Sequence, residues 1–244
     1  MSLEVNILLE KKLNYITSMY KEFNFLFDVN NIPSSSCFKW YRSENTVSYD
    51  IQVIFTGKTG YGKSSTLNSL LGKTIFKADD IASCTKDLYS AEFKCHDSLP
   101  YYFSLGDLPG IGESDKADEI YLKWYKKFIS KAHCNVYFLR TDQRDYSIDH
   151  KECFDSIFNY ESIRNKTVIA LNCVDKIEPI NRTTPFSLNN KQKENLNAKI
   201  NNISDVFKIE KKQIIPISAV ENYNLDKLMN TISSTVKNEL KYIN

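Results

Sequence analysis

The fold of this chain is decided by one stretch, Ile51-Gln52-Val53-Ile54-Phe55-Thr56-Gly57-Lys58-Thr59-Gly60-Tyr61-Gly62-Lys63-Ser64. It begins with a short apolar run over 51–55, which is typical of a buried strand. A glycine-rich loop follows directly, and from Ser64 to Leu71 leucines recur at helical spacing until Gly72 ends the predicted helix. Gly57-x4-Gly62-Lys63-Ser64 between a strand and a helix is the pattern of a phosphate-binding loop.

The glycines of the chain are concentrated around this loop and one later segment. All seven lie between positions 57 and 112, and six of them fall in two clusters, 57–62 and 106–112. Glycine is used where backbone approaches a ligand closely or adopts a positive φ. This concentration predicts that both clusters belong to one phosphate site and that the protein binds a nucleotide.

Each part of the loop has a chemical role in that prediction. Backbone N–H groups of residues 60–65 can surround an anion at a helix N-terminus, where the helix dipole favours negative charge. Lys63 would reach the β- and γ-phosphates, and the Ser64 hydroxyl would hold Mg²⁺. The predicted phosphate-site residues are Gly57, Lys58, Thr59, Gly60, Tyr61, Gly62, Lys63, Ser64 and Ser65.

The second glycine cluster, Gly106-Asp107-Leu108-Pro109-Gly110-Ile111-Gly112, follows the apolar run 101–105. A carboxylate at a strand end beside a phosphate loop is suited to a magnesium site, which predicts this role for Asp107. Gly110 can offer its backbone N–H to the γ-phosphate, a contact that hydrolysis would remove. Asp-x-x-Gly alone is a weak signal, but its position after a phosphate loop makes it informative.

Two later strand ends predict how the base is recognised. Asn172-Cys173-Val174-Asp175 follows the apolar run 167–171, and Ser218-Ala219 follows 213–217. The Asp175 carboxylate can accept hydrogen bonds from N1–H and the 2-amino group of guanine, a pairing that adenine cannot make. The remaining predicted base-site residues are Asn172, Lys176, Ser218 and Ala219.

Together, the segments 57–64, 107–110, 172–175 and 218–219 resemble the guanine-nucleotide motifs of the translation-factor-class GTPases of the TrmE–Era–EngA group. Within that group the chain is most similar to the YfjP/YeeP-like bacterial GTPases, over roughly residues 50–240. Further segments that carry the resemblance are 83–87, 107–114, the turn Asp142-Gln143-Arg144 and 171–176. The resemblance implies GTP or GDP and Mg²⁺ as cofactors.

The resemblance also implies catalytic and metal-binding residues. Thr85 would be the threonine whose hydroxyl joins Ser64 at Mg²⁺ when GTP is bound, so Ser64, Thr85 and Asp107 form the predicted metal site. Lys63 and Thr85 are predicted catalytic residues. Glu119 is a third, because it lies twelve residues after Asp107, as does the catalytic Glu of TrmE-like enzymes.

Three positions depart from the family pattern. Cys173 stands where Lys is commonest, which removes an aliphatic stem that stacks over the base and predicts weaker guanine affinity with unchanged specificity. Ile111 occupies the position of the water-orienting Gln of Ras-like GTPases, and an apolar side chain cannot orient water. Gly60 stands where potassium-dependent relatives carry Asn, which argues against stimulation by K⁺.

Other groups could replace the missing Gln. Glu119 and the nearer Glu113 are candidates for positioning water, and a solvated helix position is the alternative for Glu119. Arg144 could stabilise charge in its own chain or across a dimer, with a structural turn as the alternative. The sequence leaves these alternatives open.

Residues 50–244 are predicted to form one GTP-binding domain, and residues 1–49 an N-terminal helical appendage. Alternating strands and helices from residue 50 favour an α/β three-layer architecture with a mainly parallel sheet of about six strands. Within 1–49 an apolar stripe recurs at steps of three and four residues, which indicates a helix. Its residues are Leu9, Leu13, Ile16, Tyr20, Phe23 and Phe27. Packing on the following domain and pairing with a partner or a second copy both remain open.

Composition excludes several classes of protein. The 244 residues carry a net charge of +2, and they lack the basic footprint of nucleic-acid binders. No apolar run of about 18 residues and no signal sequence is present, which predicts a cytoplasmic protein without a transmembrane segment. The six cysteines have no metal-ligand spacing, so free thiols are expected.

The predicted function is therefore that of a GTP-binding protein that hydrolyses GTP to GDP and phosphate and acts as a nucleotide-dependent switch. With Ile111 in place of Gln, turnover should be slow unless a homodimer or a protein effector completes the site. Two alternatives are a GTP-dependent binding module with negligible hydrolysis and an ATPase of the same fold.

Overall fold

One mixed sheet forms the centre of the protein in the computed structural model, which describes residues 6–43, 46–76, 89–112, 114–180 and 183–240. Its eight strands are β1 (Asn6–Lys12), β2 (Phe38–Ser43), β3 (Thr46–Gly57), β4 (Tyr89–Lys94), β5 (Tyr101–Asp107), β6 (Cys134–Arg140), β7 (Thr167–Asn172) and β8 (Ile214–Pro216). The described helices are α1 (Asn14–Met19), α2 (Lys63–Leu71), α3 (Asp115–Ile129), α4 (Ser147–Asp149), α5 (Asp155–Phe158), α6 (Glu161–Arg164), α7 (Asn190–Phe207) and α8 (Leu225–Glu239).

The strand order is β1-β4-β5-β3-β6-β7-β8, and β2 pairs with β3 outside this path. Strands β5, β3, β6, β7 and β8 are parallel, whereas β4 is antiparallel to β5 and β1 is parallel to β4. The predicted α/β fold with a mainly parallel sheet is confirmed. The sheet has more than the expected six strands because the N-terminal segment contributes β1 and β2.

The central strand β3 positions the predicted phosphate loop. Residues 46–50 of β3 pair with β2, residues 53–57 pair with β6 on the same side, and β5 pairs on the other side. Parallel strands end at the same edge of a sheet, and ligands of such folds bind at that carboxyl edge. The loops after β3, β5, β7 and β8 therefore meet at one edge, as the sequence predicts.

Two apolar clusters cover the two faces of the sheet. One combines Ile51, Val53 and Phe55 of β3 with residues of α2, α8 and the segment 13–32. The other combines Ile54 of β3 with residues of α3, α5 and α7. Successive side chains of a strand point to opposite faces, so the apolar run of β3 is buried on both faces, which is typical of a parallel sheet.

The prediction of one helix from the apolar stripe over 9–27 is wrong, because this segment contains three separate elements. Leu9 lies in β1, α1 is only six residues long, and a 3₁₀ helix occupies Lys21–Phe27. The apolar residues keep steps of three and four across the end of β1, the short helix α1 and the 3₁₀ helix. Their spacing therefore resembles that of one continuous helix. Ile16 and Phe23 are fully buried in the cluster that contains α2 and α8, which favours packing on the following domain. The division of the chain at residues 49 and 50 stays a prediction.

The N-terminal segment also donates hydrogen bonds to the last carbonyl groups of α2. The Tyr15 hydroxyl donates to the carbonyl of Leu71 at 2.5 Å, and the Tyr20 hydroxyl donates to the carbonyl of Leu70 at 3.0 Å. The last carbonyls of a helix have no partner within the helix and need such donors. The helix that follows the phosphate loop is thus held at its carboxyl end by residues before position 21.

We expect Phe23→Ala to lower the free energy of unfolding by about 3–5 kcal/mol. Phe23 is fully buried, and its ring centroid lies 5.0 Å from that of Phe103 in β5. Urea unfolding followed by circular dichroism measures the effect. The matched control is Phe27→Ala, because Phe27 is 40% exposed. Equal small losses in both variants would contradict the packing of this segment into the core.

A buried polar cluster lies on the second face of the sheet, away from the carboxyl edge. Asp50 of β3 is fully buried and Glu92 of β4 is 4% exposed. The Arg42 guanidinium, from β2, lies 3.0 Å from the Glu92 carboxylate and 3.7 Å from that of Asp50. Ser48 donates to Asp50 at 2.9 Å. Burial, with the charge of Glu92 second, raises the pKa of Asp50 to about 7.

Asp50→Asn should change the pH dependence of stability. In the unfolded chain Asp50 ionises near its ordinary pKa of about 4, so between about pH 4 and pH 7 the folded state holds a proton that the unfolded state has lost. The contribution of this group to the free energy of unfolding therefore falls as pH rises through that window, by on the order of 4 kcal/mol. Urea unfolding at pH 5 and pH 8 should show a smaller pH dependence in the Asn variant. An unchanged difference between the two pH values would contradict a neutral Asp50.

Two expectations about the chain as a whole concern thiols and membranes. Cys37, Cys95, Cys134 and Cys173 are free thiols. Among the described residues, no helix combines the length and the apolar composition that crossing a bilayer requires. The cytoplasmic location stays a prediction.

Candidate functional site

The glycine loop after β3 adopts the left-handed backbone that its glycines permit. Gly57, Gly60 and Gly62 have φ values of +135°, +78° and +90°. A Cβ on Gly57 would lie 2.9 Å from the carbonyl oxygen of Phe138, and one on Gly62 would collide with the Asn172 side chain. Both positions therefore exclude larger residues on two grounds, backbone conformation and space.

Lys63, the first residue of α2, folds back over this loop. It is 6% exposed, and its ammonium donates to the carbonyl oxygens of Gly57 at 3.2 Å and Lys58 at 3.0 Å. Gly62 begins the helix in the left-handed conformation. The positive charge and the N-terminal N–H groups of α2 thus face the same small volume, which suits a phosphate group.

The two predicted metal-site residues that the structure describes are in contact. The Ser64 hydroxyl donates to the Asp107 carboxylate at 2.5 Å, and Asp107 is 1% exposed. Hydroxyl and carboxylate oxygens are ligands that Mg²⁺ prefers. Among the described residues no group of three or more His, Cys, Asp or Glu side chains could hold a metal ion alone. The pair fits an ion that takes its other ligands from nucleotide phosphates and water.

The second glycine cluster is fastened to the phosphate loop by backbone hydrogen bonds. The Thr59 N–H donates to the carbonyl of Ile111 at 3.0 Å, and the Ile111 N–H donates to the carbonyl of Gly57 at 3.3 Å. Gly110 packs against Thr59 so closely that a Cβ would clash with its backbone. Ile111 itself is 4% exposed. The two glycine clusters are therefore in direct contact, and their role as one phosphate site stays a prediction.

Tyr125 of α3 forms hydrogen bonds to both glycine-rich loops. Its hydroxyl donates to the carbonyl of Pro109 at 2.8 Å and accepts the N–H of Gly57 at 3.2 Å. Its side chain is fully buried in the cluster formed with α3. Sequence reasoning missed this residue, because only the packing of α3 on the sheet brings position 125 to position 57.

Asn172 joins the phosphate loop to the predicted base site. Its side-chain amide donates to the carbonyl of Tyr61 at 3.1 Å, and its side-chain oxygen accepts the N–H of Ala219 at 3.3 Å. Thr141 donates from both its hydroxyl and its N–H to the Asn172 carbonyl, at 2.7 and 2.8 Å. Asn172 thus fixes the distance between the loops that follow β3, β7 and β8.

Asp175 is hydrogen bonded to Ser218, which lies in the other predicted base-site loop, after β8. The Ser218 hydroxyl donates to one Asp175 oxygen at 2.6 Å and accepts the N–H of Glu221 at 3.2 Å. Cys173 adopts a positive φ of 64°, which turns the chain between Asn172 and Asp175. A cavity of about 340 Å³ adjoins the carboxylate and is lined by Asp175, Lys176, Ile180, Thr183, Thr184, Phe186 and Glu221.

A second network that sequence reasoning missed supports the outer side of the phosphate loop. Asp149 of α4 is 1% exposed; it accepts a hydrogen bond from the Tyr61 hydroxyl at 3.1 Å and lies 3.6 Å from the Lys58 ammonium. The Gln143 amide also donates to Asp149, at 3.1 Å. Burial, and secondarily Asp149, raises the pKa of Tyr61. The sequence pattern identifies Lys58, Tyr61 and the turn Asp142-Gln143-Arg144, but it gives no indication of Asp149.

Four predicted residues have no observed contact with this site among the described residues. Thr85 and Glu113 lie outside the described residues. Glu119 is on the exposed face of α3, with its carboxylate 2.8 Å from the Lys123 ammonium. Arg144 is exposed in the bend after β6. The catalytic roles of these four residues stay predictions.

Comparison with known proteins assigns the chain to a family. Residues 52–215 match the model of the 50S ribosome-binding GTPases. The chain is 30% identical to the uncharacterized protein YkfA of Escherichia coli K12 over 173 residues, and 28% identical to YfjP of the same strain over 172 residues. These matches cover 71% and 70% of the chain. The chain spans about half the length of these relatives, 56% in each case.

The fold agrees with that assignment. It is similar to the structure of Era from Aquifex aeolicus bound to GDP·AlF₄⁻, with a TM-score of 0.59 and 22% identity, over 76% of this chain and 56% of that chain. At this identity the likeness concerns the fold alone. The resemblance to YfjP-like proteins and to the TrmE–Era–EngA group is confirmed. The chain belongs to the 50S ribosome-binding GTPase family.

Proposed function

We propose that this protein binds GTP and GDP with Mg²⁺ and hydrolyses GTP to GDP and phosphate. The observation that carries the proposal is the Asn172 side chain, which hydrogen bonds to both the phosphate loop and the loop of Ala219. A nucleotide must contact both loops at once, and this residue holds them at a constant separation. A site that is already assembled binds without the cost of ordering its loops.

The phosphate half of the proposal rests on Lys63, Ser64 and Asp107. Lys63 would exchange its bonds with the loop carbonyls for the β- and γ-phosphate oxygens. Ser64 and Asp107 would hold Mg²⁺, the first directly and the second through water; the ion would neutralise phosphate charge when bound. Gly110 would donate its N–H to the γ-phosphate. Loss of that contact after hydrolysis is the proposed basis of a switch.

The guanine half rests on Asp175. One of its oxygens already accepts a hydrogen bond from Ser218, which orients the carboxylate and leaves acceptor capacity on both oxygens. That capacity matches N1–H and the 2-amino group of guanine. The loop of Ser218 and Ala219 would lie beside the O6 atom, and Lys176 would lie at the wall of the base site.

Turnover is proposed to be slow in the isolated chain. Chemistry would be in-line attack of water on the γ-phosphate, and Ile111 stands where Ras-like GTPases carry the glutamine that orients this water. The Ile111 side chain is buried and apolar, so it cannot hold water. A second copy of the chain or a protein effector could supply the missing group; Glu119, Glu113 and Arg144 are the candidates from this chain.

The same feature favours a second candidate, a GTP-dependent binding module with negligible hydrolysis. Single-turnover assays at saturating GTP and Mg²⁺ separate the two. Phosphate release at a rate comparable to that of unassisted small GTPases, about 10⁻⁴ s⁻¹, supports the enzyme. If no phosphate is released over a day beyond that from GTP in buffer without protein, the result supports the binding module.

Competition binding tests the proposed nucleotide. Fluorescent GDP is bound to the protein with Mg²⁺ and displaced by GDP, GTP or ATP, in wild type and in Asp175→Ala. We expect displacement by the guanine nucleotides but not by ATP, and weak binding of fluorescent GDP by the variant. Equal displacement by ATP would favour the ATPase alternative. No binding of fluorescent GDP by wild type would contradict the proposal.

A further inference from the structure

The Cys173 position leaves part of the proposed base site without a side chain to cover the base. Cys173 lies between Asn172, which contacts the phosphate loop, and Asp175, which is the proposed base contact. Its side chain ends at the sulfur atom, so it offers neither a long stem nor a positive charge. Burial raises the pKa of the Cys173 thiol, which keeps the side chain neutral.

The guanidinium of Arg140 occupies the neighbouring position. Arg140 is the last residue of β6 and is paired in register with Asn172 of β7. One of its terminal nitrogens donates to the carbonyl of Gly60 in the phosphate loop at 3.2 Å. Its register partner Asn172 is directly followed by Cys173 in the chain. The guanidinium therefore contacts the phosphate loop from a strand end that is paired with the residue before Cys173.

The plane of this guanidinium is fixed. Its Nε and one terminal nitrogen donate to the two carboxylate oxygens of Asp142, at 2.9 and 2.7 Å, and the third nitrogen donates to Gly60. Paired hydrogen bonds of this kind define both the position and the orientation of the group. The side chain is nevertheless 27% exposed. One part of the group is held by protein, and another part remains accessible to a ligand.

We propose that Arg140 is a nucleotide-binding residue whose planar guanidinium packs against the guanine base and ribose in place of a side chain at position 173. This rests on the proposed function and adds a residue to the same site. A nucleotide with phosphates at residues 60–65 and its base at Asp175 must extend from the phosphate loop, which Arg140 contacts, to the loop after β7, with which the end of β6 is paired. Guanidinium groups stack on flat aromatic surfaces, and a purine presents such a surface.

The geometry also explains why position 173 carries a small neutral side chain. A lysine there would bring a second positive charge beside the Arg140 guanidinium, and like charges at short range repel. Arg140 and a lysine at position 173 are therefore alternatives for the same role. If Arg140 had only a structural role, a lysine at position 173 would not compensate for its loss.

Binding of fluorescent GDP with Mg²⁺ by four variants and one control variant tests the proposal. Arg140→Ala should weaken binding by about tenfold or more, and Arg140→Lys should restore little, because an ammonium lacks the planar surface. Cys173→Lys in the Arg140→Ala background should recover most of the loss, because at position 173 the aliphatic stem of the lysine, and not its ammonium, would cover the base. Cys173→Lys alone should gain nothing. Arg164→Ala on α6, at the opposite edge of the sheet, is the arginine control and should bind like wild type.

The outcomes separate the two levels of the proposal. If wild type binds no fluorescent GDP, the proposed function and the role of Arg140 both fail. If wild type binds but Arg140→Ala and Arg140→Lys bind within about twofold of it, the role of Arg140 alone is wrong. Full affinity in Arg140→Lys overturns stacking in favour of charge. Thermal unfolding without nucleotide identifies a variant that fails to fold. If Arg140→Ala is such a variant, recovery of GDP binding by Cys173→Lys in that background supports the role of Arg140, and no recovery contradicts it.

Discussion

Asp175→Asn should change the preferred base from guanine to xanthine. A carboxylate accepts both N–H groups of guanine, whereas the Asn amide offers one acceptor and one donor. Xanthine carries a carbonyl where guanine carries the 2-amino group, so it matches the amide. Loss of the acceptor charge, together with an NH₂ donor placed opposite the 2-amino group, should weaken GDP binding by about 100-fold or more. The Ser218 hydroxyl still has an oxygen to donate to, so the loop should keep its conformation.

The measurement is displacement of fluorescent GDP or xanthosine diphosphate by each unlabelled diphosphate, in wild type and variant. Asp205→Asn is the matched control, because Asp205 is exposed on α7, and it should leave both affinities unchanged. A guanine preference that survives in Asp175→Asn would remove Asp175 from the base site. It would leave the phosphate loop as the only supported part of the proposal.

Lys63→Ala should reduce single-turnover release of phosphate from GTP by about 100- to 1000-fold. The ammonium is the only positive side chain that the sequence pattern assigns to the β- and γ-phosphates, and each such group stabilises developing charge by about 3–4 kcal/mol. Charge builds up on the phosphate oxygens in the transition state, so the loss should be larger in the rate than in GDP affinity.

Phosphate release with saturating GTP and Mg²⁺, alongside fluorescent GDP binding, measures both effects. Lys191→Ala is the control, because the Lys191 side chain is 65% exposed on α7. A rate in Lys63→Ala within about threefold of wild type would contradict a catalytic role. Since the Lys63 ammonium also bonds to Gly57 and Lys58, thermal unfolding of the variant without nucleotide checks that the loop remains folded.

The phosphate site could be predicted from sequence because its determinants are local. Gly57, Gly60 and Gly62 are required by backbone conformation within six residues, and the adjacent strand and helix have clear apolar patterns. Asn172, Asp175 and Ser218 could be placed because parallel strands end at one edge, so order along the chain translates into proximity. Their hydrogen bonds agree with that expectation, although their roles toward a nucleotide stay proposals.

The N-terminal segment could not be predicted in this way. Its apolar residues are spaced as in a helix, yet β1 forms because the outer side of β4 offers backbone groups for pairing, a tertiary effect that no local pattern contains. The alternation Phe38, Trp40, Arg42 was the available signal for β2. Tyr125, Asp149 and Arg140 were missed because their hydrogen bonds to the phosphate loop join residues at least 68 positions apart.

The pairing of β1 with β4 has a consequence for how the protein is handled. Without β1, the outer backbone groups of Tyr89–Lys94 would form an open sheet border, and such borders recruit strands from other molecules. Trimming the chain to begin at the central strand, which the sequence motifs alone would recommend, should thus promote aggregation. Preparations for crystallisation or binding studies should retain residues 6–12 and carry any purification tag at the other terminus.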